Sequence, residues 1–143
     1  MTRTAKGKAL DVAVKGLVTG ALGCQCPDEV FETIDYLPPD DGHGGLLVRI
    51  GGRLMVRLLP VGKAGQIPEL VGLLQDGRKE RDRKRFNRFR LVLIVSDRLD
   101  NWQRIANVAR ASFDETIDQD GRVHIHVLAS KELPKVLRAR LGL

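Results

Sequence analysis

Residues 46–59 read L-L-V-R-I-G-G-R-L-M-V-R-L-L. Two apolar runs flank Gly51-Gly52, a pair suited to a two-residue hairpin turn because both turn positions need positive φ. Leu46–Ile50 and Arg53–Leu59 are therefore predicted to be antiparallel strands, with Ile50 opposite Arg53 and Val48 opposite Met55. Apolar side chains fall on both faces, so the hairpin is expected to be covered on each side for part of its length.

Toward the C-terminus, Pro60 to Gln66 reads as a loop and Pro68 to Gln75 as a helix with Leu70, Val71 and Leu74 inward. Asp76-Gly77 is expected to interrupt that helix. The run L-V-L-I-V within Arg90–Val95 has the pattern of a central strand buried on both faces. Asp100 and Gln103 form a capping box for a helix whose inner face is Trp102, Ile105, Ala106, Ala109 and Phe113. Arg122 to Leu128 alternates, with Val123, Ile125 and Val127 on one side and His124 and His126 on the other, as a half-covered strand near a sheet edge does. Lys135 to Leu141 closes the chain as a short helix. Toward the N-terminus, Leu10, Val14, Leu17, Val18 and Ala21 recur at helical spacing through residues 5–22, and Gly23 is a C-terminal stop. A second helix is predicted from Pro27, which suits a first helical position. It ends at Pro38-Pro39, so residues 5–36 form an N-terminal helical pair. Strands alternating with helices favour parallel pairing through right-handed crossovers. The expected fold is one α/β (or α+β) domain over residues 1–143. Its mixed four-stranded sheet comprises the hairpin and two parallel strands, with helices packed on it.

A chain of 143 residues with 43% hydrophobic content supports one real core. Its two cysteines, Cys24 and Cys26, are too few for a disulfide framework, which favours a reducing cytoplasm. Ala21-Leu22-Gly23-Cys24 distantly resembles a lipoprotein cleavage site, but Asp11 and Lys15 interrupt the apolar stretch a signal peptide needs. No run reaches the roughly 18 apolar residues of a membrane span, so no membrane partner is expected.

The net charge is +6, and one segment accounts for all of it. Residues 78–90, R-K-E-R-D-R-K-R-F-N-R-F-R, set eight bases against Glu80 and Asp82; the rest of the chain is neutral. A concentrated cationic arm on a balanced body points to a negative partner. Arg78, Lys79, Arg81, Arg83, Lys84, Arg85, Arg88 and Arg90 have the chemistry to contact phosphates, and Phe86 or Phe89 to stack on bases. The arm reads either as a helical extension supported by Arg78–Asp82 and Glu80–Lys84 pairs or as a loop. The expected function is non-catalytic binding of a polyanion, RNA or DNA, directed at backbone and shape. The plain alternative is a solvated surface run whose phenylalanines re-enter the core.

Other residues point to other classes. Cys26 beside Pro27 would lie at a helix N-terminus, where a thiolate is stabilised and Cys24 could resolve a mixed disulfide, giving thiol-redox chemistry. Cys24, Cys26, His124 and His126 together have the residue types of a zinc site, with His43 as a further donor, although their spacing is not that of a zinc finger. The acids Asp114, Glu115, Asp118 and Asp120 offer a docking surface for the arm of a second subunit, hence a homo-oligomer. Ser96, Asp97 and Arg98 after one parallel strand, and Ser130 and Lys131 after the other, occupy the ends where open α/β sheets collect ligands. No phosphate loop or Ser-His-Asp set is present, and Arg53–Leu59 carries no acid to hold a catalytic metal. An enzyme is therefore not the expected reading.

Overall fold

The computed structural model describes residues 5–23, 25–38, 44–61, 70–95 and 123–143 of the chain. Helix α1 spans Ala5–Thr19, three residues shorter than expected, and turns follow it to Gly23, which has a φ of 67° but lies beyond the helix end. A turn of 3-10 helix at Asp28–Glu32 leads into strand β1, Ile34–Leu37. Strands β2 (Leu46–Ile50) and β3 (Leu54–Pro60) form the hairpin. Helix α2 (Leu70–Arg83), strand β4 (Arg88–Val95), strand β5 (Val123–Ala129) and helix α3 (Lys135–Arg140) complete the described elements. The helix expected after Asp100, the acidic segment 114–120 and the inward side chains of residues 70–74 lie outside the described residues.

The sheet has five strands in the order β1-β2-β3-β4-β5 rather than the expected four. β1 to β3 form an antiparallel meander, and β4 and β5 run parallel to β3, the mixed arrangement anticipated from the alternation of strands and helices. The extra strand replaces the second helix of the proposed N-terminal pair. Ile34, Asp35, Tyr36 and Leu37 pair with Ile50, Arg49, Val48 and Leu47, and this pairing outweighs the weak helical pattern after Pro27. Ile34 is buried, and Tyr36 donates to Asp11 Oδ1 of α1 at 2.6 Å.

Two cores sit on opposite faces. On one, Val14, Leu17 and Val18 of α1 and Leu137 of α3 pack on Val48, Val56 and Val92. On the other, Met55, Leu59, Phe89, Leu91, Leu93 and Val95 form an aliphatic layer with one aromatic ring. β4 feeds both layers, and Leu91 through Val95 are no more than 2% exposed, as its unbroken apolar run requires.

Helix α2 does not break at Asp76-Gly77. A Cβ on Gly77 would come within 2.3 Å of the Phe89 ring, so the glycine is where the helix crosses close over β4. The hairpin register also differs from expectation. Leu54, not Arg53, pairs with Ile50, so Arg49 lies opposite Met55 and Arg57 opposite Leu47. Gly51 and Gly52 do adopt positive φ, but Arg53 joins the turn, and its carbonyl instead accepts the backbone N–H groups of Asn87 and Arg88. Anchoring by the β3–β4 connection sets the register. Among the described residues no helix is long and apolar enough to cross a membrane.

Candidate anion-binding cleft

A one-residue shift in a hairpin moves each affected side chain to the other face. With Ile50 opposite Arg53, Arg49 and Arg57 would point to opposite faces. In the observed pairing they share the face covered by α2. Alternation along β2 and β3 then places Leu47 and Met55 beside them, and α2 walls the space from above.

The result is a cleft of about 620 Å³. Leu47, Met55, Phe89 and Leu91 of the sheet line it, and Leu37 and Pro38 close its outer edge. Arg49 and Arg57 belong to the sheet wall; Lys79, Arg83 and Lys84, with Asp76 and Glu80, belong to the helix wall. Among the described lining residues, five cations stand against two carboxylates. Arg57, only 7% exposed, is fixed by donating from Nη2 to the Gly44 carbonyl at 2.6 Å. Arg49 lies 3.8 Å from Glu80, a loose pair, while Glu80 also accepts from Arg83. Arg49 Nε is buried without an acceptor among the described residues. A buried donor of that kind is costly unless an acceptor, whether a ligand atom or a water, completes it.

The basic segment divides into three groups. Arg81 and Arg90 are inside, at 3% and 5% exposure. Arg81 donates from Nε and Nη2 to Asp82 at 3.1 and 2.9 Å, and Arg90 donates from Nη1 to the Leu22 carbonyl at 3.0 Å. Burial, followed by the nearby Arg88 charge, lowers the Arg90 pKa, but a guanidinium stays charged at any ordinary pH. Arg83 is exposed but tied to Glu80. Arg78, Lys79, Lys84, Arg85 and Arg88 have no carboxylate partner among the described residues, and all but the half-buried Arg78 are exposed. Phe89 is buried in the core of the α2 face, and Phe86 is partly buried against it, so these rings serve packing first. The helical extension of the arm stops early: α2 ends at Arg83, so Arg81, Arg85 and Arg88 do not share a helical face.

Among the described residues, the remaining candidates are not assembled into a site. His124 and His126 lie on the α1 face of edge strand β5, opposite Arg90 and Val92. His126 Nε2 is 2.9 Å from Arg90 Nη1, which makes that nitrogen the acceptor of a guanidinium proton. Burial first, then the Arg90 and His124 charges, push the His126 imidazole down to about 4. A lone pair already given to a cation is a poor ligand for a metal ion. Cys26 is disulfide-bonded, so its sulfur is not a thiolate donor; Cys24, the chain's other cysteine, lies outside the described residues, as does His43. Among the described residues no group of three or more His, Cys, Asp or Glu side chains could hold a metal ion. Ser130 and Lys131 start a short 3-10 turn in which Glu132 accepts from the Ala129 amide at 2.7 Å, while Ser96, Asp97 and Arg98 lie outside the described residues.

Arg49 and Arg57 were missed by sequence reading. Their signal was the repeated V-R at matching places in two strands, and it became legible only with the register. Comparisons with protein-family models, with curated proteins and with solved structures find no match to this chain.

Proposed function

We propose that this protein binds the sugar–phosphate backbone of a nucleic acid without catalysing a reaction, through the cationic ridge formed by the end of α2, the turn after it and the start of β4. The observation that carries this reading is the set Arg78, Lys79, Lys84, Arg85 and Arg88, five cations of one short segment with no carboxylate partner among the described residues. The two acids of the segment are already engaged, Asp82 by Arg81 and Glu80 by Arg83 and Arg49. They screen the ridge less than the sequence alone implies.

A competing reason for the charges exists and is too small. Cations near a helix C-terminus are favoured by the macrodipole, at about 0.3–1 kcal/mol each, and the effect fades beyond the last turn. It accounts at most for Lys84 and Arg85, which adjoin the helix end at Arg83, and not for Arg78, Lys79 or Arg88. Phosphate contacts of this kind position a protein on its ligand and carry no sequence information, so binding should be nearly indifferent to base sequence.

Salt dependence tests the reading. Five neutralised phosphates predict that log Kobs falls with log salt at a slope of about −3.5 for a single strand. That corresponds to roughly a hundredfold weaker binding at 200 mM than at 50 mM salt. Binding that stays flat across this range, or no binding at low salt, overturns the proposal.

A further inference from the structure

The ridge does not lie on one face of the sheet. Lys79 and Lys84 border the cleft on the α2 side. Arg88 stands on the opposite side, because it pairs in register with Leu54 of the α1-side core and alternates with Phe89 of the α2-side core. Between them lies the end of the sheet, where Arg85 turns the chain and the tip of the β2–β3 hairpin meets it. Arg53 joins the two. Its carbonyl accepts the Asn87 and Arg88 amides at 2.7 and 3.0 Å, so backbone bonds hold it against the ridge. Its side chain is exposed and has no carboxylate partner among the described residues. Exposed Glu29 and Glu32 lie on the 3-10 turn whose Val30 packs beside Gly51, so negative charge bounds the path on the β1 side.

We infer that the ridge takes a single strand bent round the end of the sheet, with Arg53 as a sixth phosphate contact between Arg85 and Arg88. This rests on the nucleic-acid reading and adds the form of the ligand to it. Side chains on the two faces of one sheet stand on the order of 10 Å apart, so a backbone touching both Lys84 and Arg88 must turn from face to face within that distance. A duplex, with a persistence length of about 50 nm, runs straight over such a span and leaves one face untouched. An unpaired strand turns about its own backbone bonds and can meet the cations one after another. The contacts are to phosphates, which DNA and RNA strands share, so the inference concerns strandedness and not the sugar.

The full chain is titrated by fluorescence anisotropy with a labelled oligothymidylate and, separately, with a blunt DNA hairpin carrying the same number of phosphates, each across a salt series. Arg53→Gln and Arg88→Gln remove exposed charges and keep the backbone bonds among residues 53, 87 and 88. Each is expected to lower the single-strand salt slope by about 0.7 and to weaken that ligand about eightfold at 50 mM salt, while hairpin binding stays within about twofold. Lys84→Gln is expected to weaken both ligands. Equal losses for the two ligands, or a single strand indifferent to either arginine substitution, overturn the inference. If Lys84→Gln still weakens binding in those cases, the ridge reading survives and only the bent path falls. A chain that binds neither ligand at low salt removes both readings.

Discussion

Arg90 occupies a position where a cation is costly, and His126 records that cost. The guanidinium is covered by α1 and has the Leu22 carbonyl and the His126 ring as its acceptors. The imidazole can accept only while neutral. An unfolded chain takes up a proton on this histidine near its ordinary pKa of 6.5, whereas the folded chain refuses it until about pH 4. Between those values the unfolded state binds more protons, so stability is full above about pH 6.5 and declines as the pH falls toward 4. Urea unfolding at a series of pH values should show this decline, and His126→Gln, which keeps an acceptor, should flatten it. An unchanged slope in the variant would place the acid sensitivity elsewhere. None of this was legible in the sequence. R-F-R at 88–90 reads as three consecutive members of one surface run, and alternation in a strand sends the middle residue to one face and its neighbours to the other. The run therefore divides into exposed Arg88, core Phe89 and interior Arg90.

Helix α2 shows how an element can be partly readable. Its existence followed from Pro68 to Gln75, but its continuation through Asp76-Gly77 depended on Phe89, a residue on a different element. Local propensity favours a stop at glycine, and close packing can require a glycine in mid-helix; tertiary contact decides between them. The helix instead ends where Arg85 adopts a φ of 61°, with Phe86 donating back to the Arg81 carbonyl at 2.9 Å, a C-terminal cap normally built on glycine. A side chain in that conformation costs about 1 kcal/mol. Arg85→Gly is therefore expected to raise stability by up to about 1 kcal/mol in urea unfolding while reducing the salt slope of binding by less than one unit. A stabilised variant with undiminished salt slope would remove Arg85 from the ridge; a destabilised one would contradict the cap. The hairpin carries the complementary lesson. Gly51-Gly52 marked the turn correctly, but the register depended on Arg53 meeting the β3–β4 connection, and with it went the shared face of Arg49 and Arg57.

At the scale of the molecule, the mixed sheet, its central strand and the histidine-bearing edge strand were legible because long apolar runs and strict alternation report burial directly. β1 was not, because four residues beside a 3-10 turn carry too short a pattern to separate strand from helix. The charge asymmetry was legible in amount but not in shape. Of eight bases in the segment, two are interior and one is tied to Glu80, while two strand arginines outside the segment, half-buried Arg49 and buried Arg57, line the cleft. The cleft lies at the α2 side of the sheet; Arg88, which pairs with Leu54, falls with Arg90 on the opposite face, where Lys8 of α1 and Lys135 and Arg140 of α3 are also exposed on helices. This contrast separates location from net charge. Charge reversal at Lys79, Lys84 and Arg85 and charge reversal at Lys8, Lys135 and Arg140 give proteins of the same net charge. Affinity for a single-stranded oligonucleotide at low salt, measured for both by fluorescence anisotropy, should collapse in the first and stay close to that of the unaltered protein in the second. Equal losses in the two would mean that overall charge, not the ridge, governs binding.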